Sequence, residues 1–164
     1  APYSMDDTFS RTLGEVIVIH RGKPVVLMTA HMLPSWKNTT EIRLREIAAI
    51  ERASRRHLRQ NRSVIVMTDA NHQPDTPEYL AWGKAGFVDA YLVSGGDPEA
   101  GLTSPSTSLT ERIDYIWVAG QLANQIVDSH PLTDSEFHID RDRSADAALS
   151  DHVPVICILR TVSR

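Results

Sequence analysis

The chain has 164 residues, of which 41% are hydrophobic and 23% are charged, and its formal net charge is −4. This length fits one domain with a usable core, and the mild acidity gives the chain as a whole no electrostatic bias towards nucleic acid. The single cysteine, Cys157, excludes an internal disulfide, and no apolar run approaches the roughly 20 residues that span a membrane.

The first part of the chain predicts a hairpin followed by a long helix. Two β-rich runs, residues 15–20 and 24–29, flank a short glycine-containing turn, which is typical of a β-hairpin. A helix is predicted to begin at Thr39 or Thr40, since either residue is a favourable N-cap, and to end near Gln60. Its expected buried stripe is Leu44, Ile47, Ala48 and Leu58. Its arginines fall mainly on other faces, which indicates a solvated surface or, alternatively, a phosphate-contacting one.

The rest of the chain predicts short strands separated by turns and loops. A strand at 64–67 precedes a short helix at 78–85 that ends at Gly86 as C-cap. Further strands, or extended chain in the first case, are predicted at 87–93, 113–118, 121–127 and 153–159. Residues 95–110 predict a surface loop, and the acidic stretch 129–149 predicts irregular structure. Strands that alternate with two helices indicate an α/β or α+β fold with one helical layer.

Polar side chains occur where several predicted strands begin or end. These residues are His31, Asp69, Asn71, Asp114, Asp151 and His152. Asp114 lies within an apolar run, where an unpaired charge is costly, so it is expected to have a partner. Carboxylates can activate water or bind a hard cation, and imidazoles and amides can stabilise charge on phosphoryl oxygens. The set therefore predicts one polar site at a rim of the sheet, suited to phosphate-ester hydrolysis.

Five segments, in order along the chain, resemble the later motifs of the endonuclease/exonuclease/phosphatase superfamily, which has the deoxyribonuclease-I-like fold. They are Thr29-Ala30-His31-Met32-Leu33, Thr68-Asp69-Ala70-Asn71, Gly86-Phe87-Val88-Asp89-Ala90, Arg112-Ile113-Asp114-Tyr115-Ile116 and Ser150-Asp151-His152-Val153-Pro154-Val155. Each motif alone is weak, but five in order with suitable spacing are specific. The resemblance extends from about residue 16 to residue 159 and implies a two-layer β-sandwich with flanking helices.

The resemblance also implies a role for each matched side chain. Asp69 matches the acid that orients or deprotonates the attacking water, and Asn71 matches the amide beside it that helps to hold the phosphate. His152 matches the imidazole that contacts the scissile phosphate, and Asp114 matches the acid paired with it. His31 matches a second imidazole, which is present in the nuclease-like, sphingomyelinase-like and inositol-phosphatase-like branches.

The metal site that the resemblance implies is only partly supplied by this chain. Asp151 and Asp69 match carboxylates at or near the metal, for which Mg²⁺ is the expected ion and Mn²⁺ the alternative. The principal metal ligand of the family, a glutamate, belongs to the first half of a domain of roughly 250 residues, and residues 1–10 do not resemble that half. Residues 1–164 are therefore expected to be the C-terminal portion of a single domain whose N-terminal half is absent from the chain.

Three explanations for this absence stay open. The N-terminal half is a separate fragment of a cleaved protein that remains bound, which is the favoured explanation; the chain is a truncated form; or it is a half-domain that self-associates. Whichever holds, the inner face of the single sheet is expected to be apolar, and such a face does not remain in water as a large patch.

The expected function is metal-dependent hydrolysis of a phosphodiester or phosphomonoester, completed by the N-terminal half. The substrate stays open among nucleic acid, a phospholipid head group, an inositol phosphate and a small phosphodiester. The alternative is a catalytically silent binding or scaffold module, because the principal metal ligand is not in the chain. His72, beside Asn71, is a modest further candidate, and Trp36 is a candidate substrate contact. Apart from His31 and His152, the histidines are expected at the surface: His20, His57, His72, His130 and His138.

Overall fold

The computed structural model describes residues 11–34, 39–133 and 149–160. The predicted substrate contact Trp36, His138 and the acidic run 134–146 lie outside the described residues. The elements are β1 (Leu13–His20), β2 (Lys23–His31), α1 (Thr40–Leu58), β3 (Ser63–Asp69), α2 (Pro77–Lys84), β4 (Val88–Asp89), α3 (Ala90–Val93), β5 (Asp114–Ala119), a 3₁₀ turn (Gln121–Gln125), β6 (Ile126–Pro131) and β7 (Val155–Leu159). None of the helices in these ranges combines the length and the apolar composition that crossing a membrane requires.

The strands form two sheets. The larger sheet has the order β1-β2-β3-β5-β4, and the smaller one pairs β6 with β7. β1 and β2 form the predicted antiparallel hairpin, and β2 and β3 are parallel, with α1 as the crossover between them. β5 is antiparallel to both of its neighbours. The mixed α/β fold with two sheets confirms the predicted fold class.

One face of the larger sheet forms the core with α1 and α2. Side chains alternate along each strand, so every second residue of β2 and β3 faces the helices. Trp82 of α2 stacks on Trp117 of β5, with ring centroids 5.1 Å apart and planes 10° from parallel. The buried aliphatic residues that pack around this pair are Val26, Met28, Ile47, Ile50, Ala53, Val64 and Val66.

The predicted buried stripe of α1 is confirmed for two of its four members. Ile47 is buried and Leu58 packs against the core, whereas Leu44 and Ala48 are only partly buried. Two charged residues, Arg43 and Glu46, are buried in their place. Hydrophobic periodicity does not identify such positions, because a charged residue can be buried when it has polar partners, and the periodicity does not show those partners.

Four other expectations need correction. Residues 121–125 form a 3₁₀ turn rather than a strand, and β6 begins at Ile126. The extended segment predicted at 87–93 is a two-residue strand followed by one helical turn, which the Asp89 side chain caps by accepting the Tyr91 N–H. In the predicted surface loop at 95–110, three polar residues are buried: Thr103, Ser104 and Ser106. His57 and His72 are buried and not at the surface.

The other face of the larger sheet is only partly covered. We call it the open face; apolar residues on it are Val16, Val18, Leu27, Ile65 and Met67, as the strand register requires. Val16 is 54% exposed and Met67 is 39% exposed. β7 packs against β5, and Val155 and Ile116 line one cavity, so the β6–β7 pair lies over the β5 end of this face. The β1–β3 part stays accessible.

Candidate active site

Three of the predicted site residues form one row across the larger sheet. His31 ends β2 and pairs with Asp69 at the end of β3, and Asp69 pairs with Asp114 at the start of β5. Paired residues on neighbouring strands direct their side chains to the same face. Strand register therefore brings an imidazole and two carboxylates together at one end of the open face.

His152 joins this row from the segment that precedes β7. Its Nδ1 lies 2.8 Å from Asp114 Oδ2, and the two side chains are 23% and 18% exposed. Partial burial of the ring opposes its protonation, but the charge of Asp114 and the hydrogen bond to it outweigh this effect. The pKa of His152 is consequently raised above its ordinary value, which favours the cationic ring.

The Asp69 carboxylate lies between two histidines and a second acid. His31 Nε2 is 3.2 Å from Asp69 Oδ2, and the backbone N–H of Asn71 donates to Oδ1 at 3.1 Å. Burial, followed by the negative charge of Asp114, raises the pKa of Asp69, although both histidines act in the opposite direction. The carboxylate is therefore a better proton acceptor than an exposed aspartate.

Asn71 connects the ends of β2 and β3. Its φ of 51° lies in the left-handed region, which asparagine tolerates better than most residues. Its Nδ2 donates to the Met32 carbonyl at 3.1 Å, and the Met32 N–H donates to the Asp69 carbonyl at 2.9 Å. Asn71 is thus held by its side-chain amide on Met32 and by its backbone N–H on the Asp69 carboxylate.

Arg11 is a residue near the site that the sequence did not indicate. Its Nη1 lies 2.8 Å from Nδ1 and 2.9 Å from Nε2 of His31, and both side chains are exposed. A guanidinium in this position can bind a phosphate oxygen. Arg11 belongs to none of the motifs, and only the pairing of β1 with β2 brings it to this end of the sheet.

Among the described residues, Asp69, Asp114 and His152 form a group that could hold a metal ion. One ligand atom from each lies within 4.8 Å of the others. The two carboxylates suit a hard divalent cation such as Mg²⁺. Asp151 is exposed and lies outside this trio, so its role as a metal ligand stays a prediction.

His72 is a buried residue next to Asn71. It is 3% exposed, accepts a hydrogen bond from Trp82 Nε1 at 3.2 Å and stacks on Tyr115 with ring centroids 5.1 Å apart. Burial lowers its pKa to about 4, so the ring is neutral at physiological pH. Its position after Asn71 was the only signal for it in the sequence.

Comparisons with known proteins give matches by structure. No protein-family model matches the chain, and no curated protein matches it. A mannosyl-6-phosphatase from Bacteroides thetaiotaomicron superposes with a TM-score of 0.68 at 22% identity, over 86% of this chain and 53% of that one. D. rerio TDP2 in complex with a single-stranded DNA product gives 0.67 at 20% identity, over 91% of this chain and 61% of that one.

A third solved structure belongs to the superfamily by its own description. It is an endonuclease/exonuclease/phosphatase family protein from Leptotrichia buccalis, with a TM-score of 0.62 and 18% identity over 91% of this chain and 53% of that one. The chain therefore has the deoxyribonuclease-I-like fold of these proteins, which confirms the predicted resemblance at the level of fold. It spans about half to three fifths of the length of the three structures.

Proposed function

We propose that this chain is the C-terminal portion of a phosphoesterase in which activated water attacks a phosphate ester. The observation that carries the proposal is the His152 Nδ1 to Asp114 Oδ2 contact of 2.8 Å beside the Asp69 carboxylate. It combines a cationic hydrogen-bond donor with a proton acceptor, and both are needed for this reaction. The fold shared with a phosphatase and with a TDP2 bound to a DNA product supports the same reaction class.

Asp69 is the proposed acceptor of the proton from the attacking water. Its raised pKa brings its basicity closer to neutral pH, where an ionised carboxylate accepts a proton most effectively. The Asn71 N–H occupies Oδ1 of the carboxylate. Asn71 and His31 are the proposed neighbours of the phosphate, since an amide and an imidazole can both donate to its oxygens.

His152 is the proposed donor to a phosphoryl oxygen. Its Nδ1 is engaged by Asp114, so Nε2 is the ring atom that can donate to the substrate. The charge of Asp114 and the hydrogen bond to it raise the pKa of His152, which favours the cationic ring, and a cation there offsets the negative charge that grows on the phosphoryl group. Asp114 fixes the ring orientation.

The proposed cofactor is Mg²⁺, with Mn²⁺ as the alternative. Asp69 and Asp114 offer the carboxylate oxygens that such ions prefer, whereas His152, as the proposed cationic donor, is not counted among the ligands. Asp151 is the further ligand that the motif resemblance predicts. When bound, the cation would neutralise charge on the phosphate oxygens.

We also propose that an N-terminal half completes the domain, as a bound fragment or as a preceding part of the same chain. Two observations support this: the β1–β3 part of the open face is apolar and accessible, and the chain spans little more than half of each neighbour. The second layer of a β-sandwich packs on such a face. The substrate is a phosphate ester, with nucleic acid, a phospholipid head group, an inositol phosphate and a small phosphodiester as candidate classes.

The test is hydrolysis of bis(para-nitrophenyl) phosphate by the complete protein with Mg²⁺ or Mn²⁺. His152→Ala is expected to lower kcat by about a hundredfold or more, because proton transfer and charge stabilisation each contribute on that scale. His130→Ala is the matched control, since His130 Nδ1 contacts Asp128 Oδ2 at 3.0 Å in a second, exposed pair. Equal turnover in both variants would remove His152 from the mechanism. Absence of turnover in the wild type, on this diester and on the monoester para-nitrophenyl phosphate, would favour the catalytically silent binding or scaffold module.

A further inference from the structure

Thr103 connects its own loop to two segments of the candidate site, the one before β5 and the one before β7. It is 1% exposed. Its N–H donates to the Glu111 carbonyl at 2.7 Å, and its carbonyl accepts the Val153 N–H at 2.9 Å. Its hydroxyl oxygen accepts the N–H groups of Ile113 at 3.2 Å and Asp114 at 3.3 Å. One threonine thus binds the backbone of Asp114 and the backbone directly after His152.

Ser106 binds the backbone of the two residues that precede His152. Its N–H donates to the Asp151 carbonyl at 2.7 Å, and its hydroxyl donates to the Ser150 carbonyl at 2.6 Å. It is 8% exposed. The residues on both sides of His152 are therefore attached to the same short loop, Asp151 through Ser106 and Val153 through Thr103.

The contact between His152 and Asp114 depends on how these segments are held. The two residues are 38 positions apart in the sequence. His152 lies before the first residue of β7, where no strand ladder holds the backbone. Thr103 attaches this segment directly to the backbone of Asp114, and Ser106 attaches it to the same loop. The Leu132 N–H also donates to the Pro154 carbonyl at 2.7 Å, but that bond leads to β6 and not to Asp114.

We propose that Thr103 and Ser106 are positioning residues that set the separation of His152 from Asp114. The proposal rests on the proposed function and deepens it, because it identifies residues that control the same site without touching the substrate. Displacement of a catalytic group by about 1 Å can lower a rate by about a hundredfold. A loop that determines this contact therefore controls turnover as strongly as some residues that touch the substrate.

The test compares three variants in the complete protein. Thr103→Val keeps the side-chain shape but removes the acceptor, and kcat is expected to fall by about tenfold to a hundredfold with KM within about threefold. Thr103→Ser keeps the hydroxyl and is expected to retain kcat within about threefold. Ser63→Ala is the matched control, because the buried Ser63 hydroxyl accepts the Leu122 N–H at 3.1 Å near the opposite end of β3; its kcat is expected to equal that of the wild type.

A spectroscopic readout tests the positioning without turnover. The Nδ1 proton of His152, hydrogen bonded to Asp114, is expected to give a downfield resonance in the wild type, in Thr103→Ser and in Ser63→Ala. The resonance is expected to shift or broaden in Thr103→Val. Ser106→Ala removes only the hydroxyl bond to Ser150 and provides a second test if Thr103→Val does not fold.

The outcomes separate the two proposals. A Thr103→Val variant that folds and keeps both the wild-type kcat and the wild-type His152 resonance overturns the positioning role. A fall in kcat that is equal in Thr103→Val and Ser63→Ala also overturns it, since general destabilisation then explains the loss. If the wild type itself shows no turnover, the proposed function fails, and the resonance comparison alone decides whether Thr103 positions His152.

Discussion

His72 is neutral because the protein interior excludes the charged form of its ring. Trp82 Nε1 donates to Nε2, which leaves the proton on Nδ1, where the Gln73 carbonyl accepts it at 3.1 Å. Protonation of Nε2 would break the bond to Trp82 and place a cation next to Tyr115. A histidine adjacent to a candidate catalytic residue therefore has a structural role, as the depressed pKa also indicates.

This residue predicts acid sensitivity of the fold. Between pH 6.5 and about pH 4 the unfolded state binds a proton at His72 that the folded state does not, so the free energy of unfolding falls as the pH falls. The full effect is about 3 kcal/mol. Urea unfolding measures the free energy of unfolding at about pH 7 and about pH 4.5. The decrease between these two pH values is expected to be smaller in His72→Gln than in the wild type. The same loss in both proteins would contradict this role.

Single residues differ in how far the sequence reveals them. His31 and Asp69 were predictable because each follows an apolar run, and strand ends that share a rim bring polar side chains together. Asp114 was predictable because a carboxylate within an apolar run needs a partner, and His152 is that partner. Thr103 and Ser106 were not, because a hydroxyl in a Ser- and Thr-rich loop has the same pattern whether it faces water or binds distant backbone.

At the scale of elements, α1 and α2 are joined by a buried ion pair. Arg43 donates through Nε and Nη2 to Glu78 Oε1 at 2.9 and 2.7 Å, and through Nη1 to the Leu33 carbonyl at 3.2 Å. Glu46 Oε2 accepts the Leu33 N–H at 3.2 Å. Both backbone groups of Leu33, two residues after His31, are therefore hydrogen bonded to charged side chains of α1. This arrangement explains why charged residues occupy the buried side of α1.

Removal of the buried Arg43 is expected to lower the free energy of unfolding far more than removal of the exposed Arg45. Arg43→Met leaves Glu78 buried without its cation, so the free energy of unfolding is expected to fall by about 3–5 kcal/mol. Arg45→Met removes an exposed i,i+4 pair with Glu41 and is expected to cost less than about 1 kcal/mol. Chemical denaturation of both variants measures the difference, and equal losses would show that the buried pair has no special contribution.

One of the links between the start of β5 and the loop after β3 is a tyrosine hydroxyl. Tyr115 Oη lies 2.9 Å from the His72 carbonyl and 2.7 Å from the Arg112 carbonyl, and its proton is shared between them. These carbonyls adjoin the segments that carry Asn71 and Asp114. Tyr79, in the same aromatic group, instead donates to Asp89 Oδ2 at 2.9 Å.

The two tyrosines give a matched pair of variants. Tyr115→Phe is expected to lower kcat by about tenfold, since the loop and β5 lose a connection that orients both site segments. Tyr79→Phe also removes one hydroxyl, but that hydroxyl donates to the Asp89 side chain and not to the backbone of either site segment, so its kcat is expected to stay at the wild-type level. Steady-state kinetics on the same phosphodiester distinguishes them. A larger fall in Tyr79→Phe than in Tyr115→Phe would contradict the proposed link.

At the scale of the whole molecule, the open face determines how the chain behaves alone. Val16 and Met67 are among the exposed apolar residues, and β1 is an edge strand. An apolar face next to a free strand edge favours association with another layer. The sequence predicted this face from the resemblance to half of a domain. It did not predict that the β6–β7 pair covers the β5 end.

The chain by itself is therefore expected to self-associate. Light scattering on residues 1–164 alone is expected to show a mass that rises with concentration, and Val16→Lys is expected to reduce the rise. Leu80→Lys is the control, because Leu80 is 59% exposed on α2, in the helical layer. A monomer at all concentrations would contradict the accessible open face and would weaken the proposal of a missing layer.

The central claim is that Asp114 and His152 act as one unit in phosphate-ester hydrolysis. The most direct measurement is kcat/KM on bis(para-nitrophenyl) phosphate for Asp114→Asn, His152→Ala and the double variant of the complete protein. Residues that act together lose activity together. The double variant is therefore expected to be no more than about threefold worse than His152→Ala, which loses about a hundredfold or more. Losses that multiply in the double variant, or wild-type activity in both single variants, would contradict the account.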